Sequence, residues 1–172
     1  MTTVPADSAA TRPIAVIDLD GVVADVRPRL VHIQGGRRDW DAFFAEIPAD
    51  AVLPEGRAVV ERLADEHEIV YLTGRPERTR RNTEEWLDRH RLPRGRLIMR
   101  AERDRRPARM VKSRLLRELN RELGRGARIA VVVDDDVEVC DALERDGWPV
   151  LRADWMTEQP TLHHAQERQG RT

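Results

Sequence analysis

The sequence predicts an α/β fold in which a parallel sheet lies between helices on both of its faces. Three apolar runs have the length and composition of buried strands, and they lie at 14–17, 69–72 and 129–133. Segments with the apolar spacing of helices separate and follow these runs. Because strands that alternate with helices build parallel sheets covered on both sides, we expect three layers.

Local signals place the individual elements. In chain order, the predicted strands lie near 14–19, 68–73, 97–99, 129–134 and 148–151. Pro54 suits the first turn of a helix, a second helix follows Pro76, and a third follows Pro107. The apolar stripe of this third helix consists of Met110, Leu115, Leu119 and Leu123. A last helix runs to about Asp146, where Gly147 can end it.

Composition indicates one domain with an aliphatic core. The 172 residues suffice for one sizeable core, and aromatic residues make up only 4% of them. The single cysteine, Cys140, excludes an intrachain disulfide and a cysteine-rich metal site. The sequence contains neither a signal-peptide pattern nor an apolar run of the roughly 20 residues that a membrane span needs. We therefore expect a cytoplasmic protein that has no membrane partner.

The expected domain has a tail at each end and one short insertion. We expect flexible tails at 1–12 and 158–172 and a folded domain at 13–157. The segment 26–53 carries Trp40, Phe43 and Phe44, which can either pack as anchors or stack against a base. This insertion, like the segment between the second and fourth strands, is too short for a cap domain. We expect a short flap beside an open site.

Two acids follow the first predicted strand. Asp18 and Asp20 are two residues apart, so on an extended chain they point to the same side, and Gly21 allows a sharp turn behind them. Two crowded carboxyl groups cannot both ionise easily, so the pKa of one should rise. This difference would suit a nucleophile and a proton donor, although an acidic turn after a strand has the same pattern.

Further polar groups come at the ends of later strands. Thr73 ends the second apolar run, and the acidic run 134–136 ends the third. Ligands bind beyond the carboxyl ends of strands in parallel sheets, so these groups are expected to share one site. Between them lies Lys112, the only lysine among the 30 lysine and arginine residues. An ammonium and a guanidinium are not interchangeable at a tight site, although a lone lysine can also arise by chance.

The order of these motifs resembles the haloacid dehalogenase (HAD) superfamily of phosphohydrolases. The similar positions are Asp18, Asp20, Gly21, Thr73, Lys112, Asp134 and Asp135. The resemblance covers roughly residues 14–156 and implies a three-layer Rossmann-like HAD fold with a minimal or no cap domain. Receiver domains carry similar groups, but their acidic pair comes first and their lysine last.

The resemblance also implies a role for each catalytic residue. Asp18 would attack phosphorus and form an aspartyl phosphate. Asp20 would protonate the leaving oxygen and then deprotonate the hydrolytic water. Thr73 would hydrogen-bond a phosphate oxygen, and Lys112 would hold the nucleophile and the phosphate together.

This chemistry calls for a cation because a carboxylate and a phosphate dianion repel each other. The resemblance implies Mg²⁺, which takes hard oxygen ligands. The expected ligands are Asp18, the backbone carbonyl of Asp20, and Asp135. Asp134 is the alternative ligand, or it orients the waters of the metal. We expect Asp136 to cap the following helix instead.

The second half of the chain is similar to the 3′-phosphatase domain of polynucleotide kinase-phosphatases. The similar segments are Thr73-Gly74-Arg75, the helix through Trp86, the run 103–106, Lys112, Val133-Asp134-Asp135 and the segment 142–147. The resemblance implies that Gly74 and Arg75 bind substrate phosphate, and that the substrate is a DNA or RNA 3′-end. The chain lacks the Gly-x-x-x-x-Gly-Lys-Ser/Thr loop that a kinase half would need.

Charge is distributed unevenly along the chain. The segment from Arg89 to Arg128 contains fourteen arginines, Lys112 and four acids. Its net charge is therefore +11, in a chain whose net charge is −1. A basic half suits a polyanion, but solvated arginines would look the same, and the sequence shows no clustering on one face. The alternatives are a phosphatase of small molecules, such as nucleoside monophosphates or sugar phosphates, and a non-catalytic binding module. A homo-oligomer could cover the open site.

Overall fold

A five-stranded parallel sheet with helices on both faces forms the centre of the protein. The computed structural model describes residues 11–35, 37–156 and 162–163. The strands are β1 (Ile14–Ile17), β2 (Ala24–Asp25), β3 (Ala51–Val52), β4 (Glu68–Pro76), β5 (Gly95–Arg100), β6 (Ile129–Asp134) and β7 (Val150–Arg152). The helices are α1 (Trp40–Ala45), α2 (Pro54–Glu66), α3 (Arg80–Arg89), α4 (Ala108–Leu123) and α5 (Val137–Arg145). The order β5-β4-β1-β6-β7, parallel throughout, confirms the predicted fold class.

The central strand β1 is buried on both faces, and its side chains alternate between two apolar clusters. Ala15 and Ile17 pack with residues of α2 and α3, including Val60 and Trp86. Ile14 and Val16 belong to the opposite cluster, with residues of α4 and α5. Since successive side chains of a strand point to opposite faces, this division follows from the strand's period of two. It places α2 and α3 on one face of the sheet and α4 and α5 on the other.

The predicted helix boundaries are confirmed where proline or glycine marks them. α2 begins at Pro54 and α4 begins directly after Pro107. Gly147, with φ +87°, follows the end of α5 in the left-handed region that glycine tolerates. The apolar stripe predicted for α4 is wrong at Met110, which is half exposed, because the buried face of the helix passes through Val111 instead.

The short insertion builds a third apolar cluster beside the sheet. β2 and β3 pair antiparallel, and between them lie α1 and the 3-10 turns Arg27–His32 and Ile47–Ala49. Trp40, Phe43 and Phe44 are buried, with ring centroids 5.3 to 5.8 Å apart. They are therefore packing anchors and do not present a surface on which a base could stack.

The two expected tails differ from each other in what the structure describes. Residues 1–10 of the expected N-terminal tail lie outside the described residues. Within the expected C-terminal tail, Leu162 is 0% exposed and packs in the cluster of the insertion. The prediction of a loose tail is therefore wrong at Leu162, because burial of an apolar side chain anchors it. Among the described residues, no helix has the length and apolarity to cross a membrane.

Candidate active site

The carboxyl ends of the three central strands bring the predicted acids together. Asp18 directly follows β1, and its N–H donates to the Val133 carbonyl of β6 over 2.9 Å. This hydrogen bond sets Asp18 beside Asp134, the last residue of β6. Thr73 lies in β4, on the other side of β1. The structure thus brings together groups that are more than fifty residues apart in the sequence.

The only lysine of the chain bridges two of these carboxylates. Nζ of Lys112, near the start of α4, donates to Asp134 Oδ2 over 2.6 Å and lies 3.0 Å from Asp18 Oδ2. Burial alone would lower the pKa of Lys112, but Asp134 and Asp18 outweigh burial and raise the pKa above its usual value. Lys112 is therefore a permanent cation between two buried acids.

Negative charge at this edge of the sheet exceeds what Lys112 can balance. Burial raises the pKa of Asp18 well above its usual value; Lys112 opposes that shift, and Asp134, Asp135 and Asp20 add to it. Burial likewise raises the pKa of Asp135. An additional cation would relieve both shifts, because an adjacent positive charge favours the carboxylate form.

Three of the acids have the spacing of a cation site. Asp18, Asp134 and Asp135 each offer one oxygen, and these oxygens lie within 4.8 Å of one another. Gly21 makes room for this group. Its φ is +83°, and a Cβ atom at this position would approach Asp135 Oδ2 to 2.0 Å. A residue with a side chain would displace Asp135 and strain the backbone.

A buried network of two arginines surrounds Asp20. Arg75 donates from Nε over 3.0 Å and from Nη2 over 2.6 Å to Asp20 Oδ1, and Arg29 Nη2 donates to the same oxygen over 2.7 Å. Asp50 accepts from both Arg29 and Arg75 over 2.8 to 3.1 Å. Burial would raise the pKa of Asp20, but Arg75 and Arg29 outweigh it and lower the pKa to about 2. Of the two crowded acids, Asp18 therefore has the raised pKa, and Asp20 is held as a carboxylate.

Sequence reasoning missed Arg29 and Asp50, the two members of this network that the insertion supplies. Both flank the aromatic cluster, and the Arg29 guanidinium carbon lies 4.3 Å from the centroid of the Phe43 ring. Nothing in the sequence marks one arginine among so many. Arg75, expected to bind substrate phosphate, is 0% exposed and faces Asp20.

The last residues of β4, which include Thr73 and Gly74, are held by hydrogen bonds. Thr73 Oγ1 accepts from the N–H of Arg75 over 3.2 Å, and the Gly74 carbonyl accepts from Arg100 Nε over 3.1 Å. Arg100 also donates to the Arg106 carbonyl over 2.8 Å, and burial lowers its pKa to about 10. Arg100 was not found from the sequence; it links the end of β4 to the loop before α4.

Asp136 and His163 complete the acidic end of β6. Asp136 caps α5 as predicted, accepting from the N–H groups of Glu138 and Val139 over 2.9 and 3.3 Å. His163 Nε2 lies 2.9 Å from Asp135 Oδ2. Burial would lower the pKa of His163, but Asp135 outweighs burial and raises it. The sequence indicated no function for this histidine.

The expectation of an open site is wrong for this conformation. Five side chains with predicted catalytic or metal-binding roles are at most 5% exposed: Asp18, Asp20, Thr73, Lys112 and Asp134. Arg29 and Asp50 of the insertion cover Asp20, and His163 covers Asp135. Polar side chains from the insertion and from the C-terminal side of the chain thus cover Asp20 and Asp135, respectively.

A sheet of this order, with this set of acids, threonine and lysine at its carboxyl edge, defines a phosphatase of the HAD superfamily. Residues 12–155 match the family described as the polynucleotide kinase PNKP phosphatase domain, and the chain belongs to that family. No curated protein matches the chain in sequence.

Solved structures show the same fold at low sequence identity. A chain of the Pnkp1/Rnl/Hen1 complex is 22% identical, with a TM-score of 0.67 over 85% of this chain and 47% of that one. The class C acid phosphatase of Bacillus anthracis is 16% identical, with a TM-score of 0.57 over 81% and 63% of the two chains. SP0104, a haloacid dehalogenase-like hydrolase of Streptococcus pneumoniae, is 13% identical, with a TM-score of 0.58 over 92% of each. This chain spans about half the length of the Pnkp1/Rnl/Hen1 component.

Proposed function

We propose that the protein is a Mg²⁺-dependent phosphomonoester hydrolase that works through an aspartyl phosphate and removes 3′-phosphates from nucleic acid ends. The observation that carries the proposal is the grouping of Asp18, Lys112, Asp134 and Asp135 at one sheet edge, with Asp20 two residues from Asp18. Family membership supports the substrate class.

The acidic group suits Mg²⁺. Its donors are carboxylate oxygens, which are the hard ligands that Mg²⁺ prefers, and their charge exceeds what Lys112 balances. Asp18, Asp134 and Asp135 would hold the ion, together with the Asp20 backbone carbonyl. When bound, the ion would supply charge neutralisation between the carboxylates and the substrate phosphate.

Asp18 is the proposed nucleophile. One of its carboxylate oxygens forms a bond to phosphorus while the bond from phosphorus to the substrate oxygen breaks, and the leaving oxygen takes a proton from Asp20. Water then attacks phosphorus and gives its proton to Asp20, and inorganic phosphate leaves as the Asp18 carboxylate is restored. Lys112 keeps Asp18 in place and faces the transferred group as a fixed cation.

At the start of this cycle Asp20 is an ionised carboxylate. While Arg29 and Arg75 hold it, Asp20 stays ionised because its pKa is lowered to about 2, and a carboxylate with so low a pKa is a weak base. To act as a donor in the first step, it must leave the arginines, since release from two cations raises the pKa of an acid. We propose that substrate phosphate draws the guanidinium groups away from Asp20, which would give Arg75 the phosphate contact expected of it.

The substrate class rests on the family and on one related structure. The Pnkp1/Rnl/Hen1 assembly, one chain of which shares this fold, is described as an RNA repair complex. We propose the same substrate class, phosphorylated DNA or RNA ends, for this chain.

Phosphate release from three matched substrates tests the proposal. The substrates are a 3′-phosphorylated oligonucleotide, a 5′-phosphorylated oligonucleotide of the same sequence and a nucleoside monophosphate, each with Mg²⁺ and with Asp18→Asn protein as the blank. We expect kcat/KM to be at least about tenfold higher for the 3′-end than for the 5′-end, a difference of about 1.4 kcal/mol. Preference for the mononucleotide would favour a small-molecule phosphatase instead.

A further inference from the structure

A groove between α4 and α5 is lined by five arginines. They are Arg106, Arg109, Arg114, Arg117 and Arg145, and the groove has a volume of about 580 Å³. The remaining four lining residues include one acid, and they are Met110, Ser113, Ala142 and Asp146. Such a density of guanidinium groups along one channel favours a polyanionic ligand.

Three of the arginines, Arg109, Arg114 and Arg117, lie on one side of α4, although the sequence did not reveal this clustering. Arg109, Ser113 and Arg117 follow one another at steps of four residues, which is the spacing of neighbours on a helix surface, and Arg106 lies just before the helix. Arg145 of α5 supplies the opposite wall. The two helices therefore present positive charge toward the same channel.

The groove extends from the start of α4, the helix that carries Lys112, to the end of α5. Lys112, near the start of α4, reaches Asp18 and Asp134, and its sequence neighbour Ser113 lines the groove. α5 begins three residues after β6 ends, so both helices start at the carboxyl edge and run away from it. A chain whose end lies at Asp18 would thus find the groove beside that end.

Two of the groove arginines are held by surface acids that phosphate can replace. Arg117 pairs with Asp146 over 2.6 Å and Arg114 with Glu118 over 2.8 Å, and none of these side chains is buried. Arg106 and Arg114 also lie 2.5 and 3.5 Å from Asp104, which is 8% exposed. Exposed ion pairs contribute little to stability, so exchanging a carboxylate for a phosphate is not costly. Guanidinium groups also match phosphate oxygens in bidentate geometry.

We propose that this groove binds the sugar-phosphate backbone of the nucleic acid strand that leads to the 3′-phosphate. The inference rests on the proposed function, since the polyanion is the nucleic acid substrate of that function. The groove would distinguish a polynucleotide from a mononucleotide, because only the longer substrate reaches its arginines. It would provide affinity and leave the chemical step to the residues around Asp18.

Charge reversal on both walls of the groove tests this proposal. Arg109→Glu/Arg145→Glu is compared with Arg121→Glu/Arg125→Glu, which makes the same charge change at exposed positions outside the groove. For a 3′-phosphorylated 12-mer we expect the groove variant to raise KM at least about tenfold. Its kcat/KM for a nucleoside 3′-monophosphate should stay within about twofold of the unmodified protein, since no more than a single phosphate is present. The slope of log KM against log salt for the 12-mer should fall by about 1.4, two contacts at about 0.7 each.

Direct binding separates the groove from the proposed activity. Fluorescence anisotropy of a labelled 3′-phosphorylated 12-mer is measured with Asp18→Asn protein, with and without the groove substitutions. If the 12-mer binds through the groove but is not hydrolysed by the unmodified protein, the groove stands and the 3′-phosphatase proposal fails. Equal affinity for the 12-mer with and without the groove substitutions would overturn the groove proposal. Equal losses of affinity in the groove variant and in its control would do the same. Thermal unfolding of each variant establishes that it is folded.

Discussion

Arg75 donates two hydrogen bonds to a single oxygen of Asp20, from Nε over 3.0 Å and from Nη2 over 2.6 Å. The pair is buried, and it joins the loop after β1 to the end of β4. An acid held in this way stays ionised, and it can donate a proton only after the arginines release it. The relationship makes the catalytic contribution of Asp20 depend on the leaving group.

Asp20→Asn should therefore affect substrates unequally. The leaving group of a nucleoside 3′-phosphate is an alkoxide, which needs a proton, so we expect kcat for this substrate to fall by about 10²- to 10⁴-fold. The leaving group of p-nitrophenyl phosphate is a stable phenolate, so the first step with this substrate should be affected much less. Burst kinetics with p-nitrophenyl phosphate would show rapid release of nitrophenol followed by slow turnover, because the second step still lacks its base. Equal losses for both substrates, without a burst, would assign Asp20 to positioning alone.

Lys112→Arg should inactivate the protein even though it preserves charge. Nζ of Lys112 fits between Asp18 and Asp134 in a buried space, and a planar guanidinium is broader than the ammonium that fits there. We expect kcat to fall by about 10²- to 10³-fold, comparable to the loss of one fixed donor at a transition state. The same exchange in reverse at an exposed position of α4, Arg121→Lys, serves as the control and should leave kcat unchanged. A Lys112→Arg protein with full activity would show that position 112 needs only a positive charge.

Tyr71 allows a test of burial through pH. It is the only tyrosine of the chain, it is buried, and its hydroxyl donates to the Pro93 carbonyl over 2.7 Å. Burial raises its pKa above the ordinary value of about 10. Below pH 10 the phenol is protonated in both the folded and the unfolded state, so its contribution to stability is complete. Above pH 10 the unfolded state loses the proton first, so the free energy of unfolding should fall as pH rises.

Absorbance at 295 nm measures this titration without interference from another tyrosine. In the folded protein the signal should stay flat past pH 10 and rise only when the protein unfolds, whereas in denaturant it should rise near pH 10. Tyr71→Phe removes the signal and provides the baseline. A folded protein that titrates near pH 10 would contradict the burial of this side chain.

The sequence predicted the structure well where a residue type was rare or where an apolar run was long enough to mark a strand. The apolar runs predicted the strand ends before Asp18 and at Asp134, whereas β4 continues beyond Thr73 to Pro76. Lys112 stands out because no second lysine exists. Arg29 and Asp50 could not be found, because their contact spans 21 positions and arginine is the commonest basic residue. The pair β2 and β3 has two residues per strand, too few to show an alternation. The residues that cover the site could be recognised only from their tertiary contacts, which the sequence pattern does not show.

The contact between His163 and Asp135 should weaken cation binding. Nε2 of His163 lies 2.9 Å from Asp135 Oδ2, and Asp135 is one of the three acids that form the proposed Mg²⁺ site. A cation that binds this oxygen must displace the imidazole, and the neighbouring residue Leu162 is buried in the insertion cluster. Removal of the side chain in His163→Ala should therefore lower the Kd for Mg²⁺ by about three- to tenfold, or about 0.7 to 1.4 kcal/mol.

Calorimetric titration with Mg²⁺ measures this change directly, and the rise of Tm with added Mg²⁺ reports it independently. His67→Ala, which removes a histidine at the end of α2, is the matched control and should leave the Kd unchanged. Asp135→Asn should abolish most of the Mg²⁺-dependent rise in Tm, because it removes a charged ligand from the group. If His163→Ala binds Mg²⁺ more weakly than the unmodified protein, His163 supports Asp135 as a ligand and does not compete with the ion. That result would make the C-terminal segment part of the metal site, since the orientation of Asp135 would then depend on a residue beyond the family-matched region 12–155.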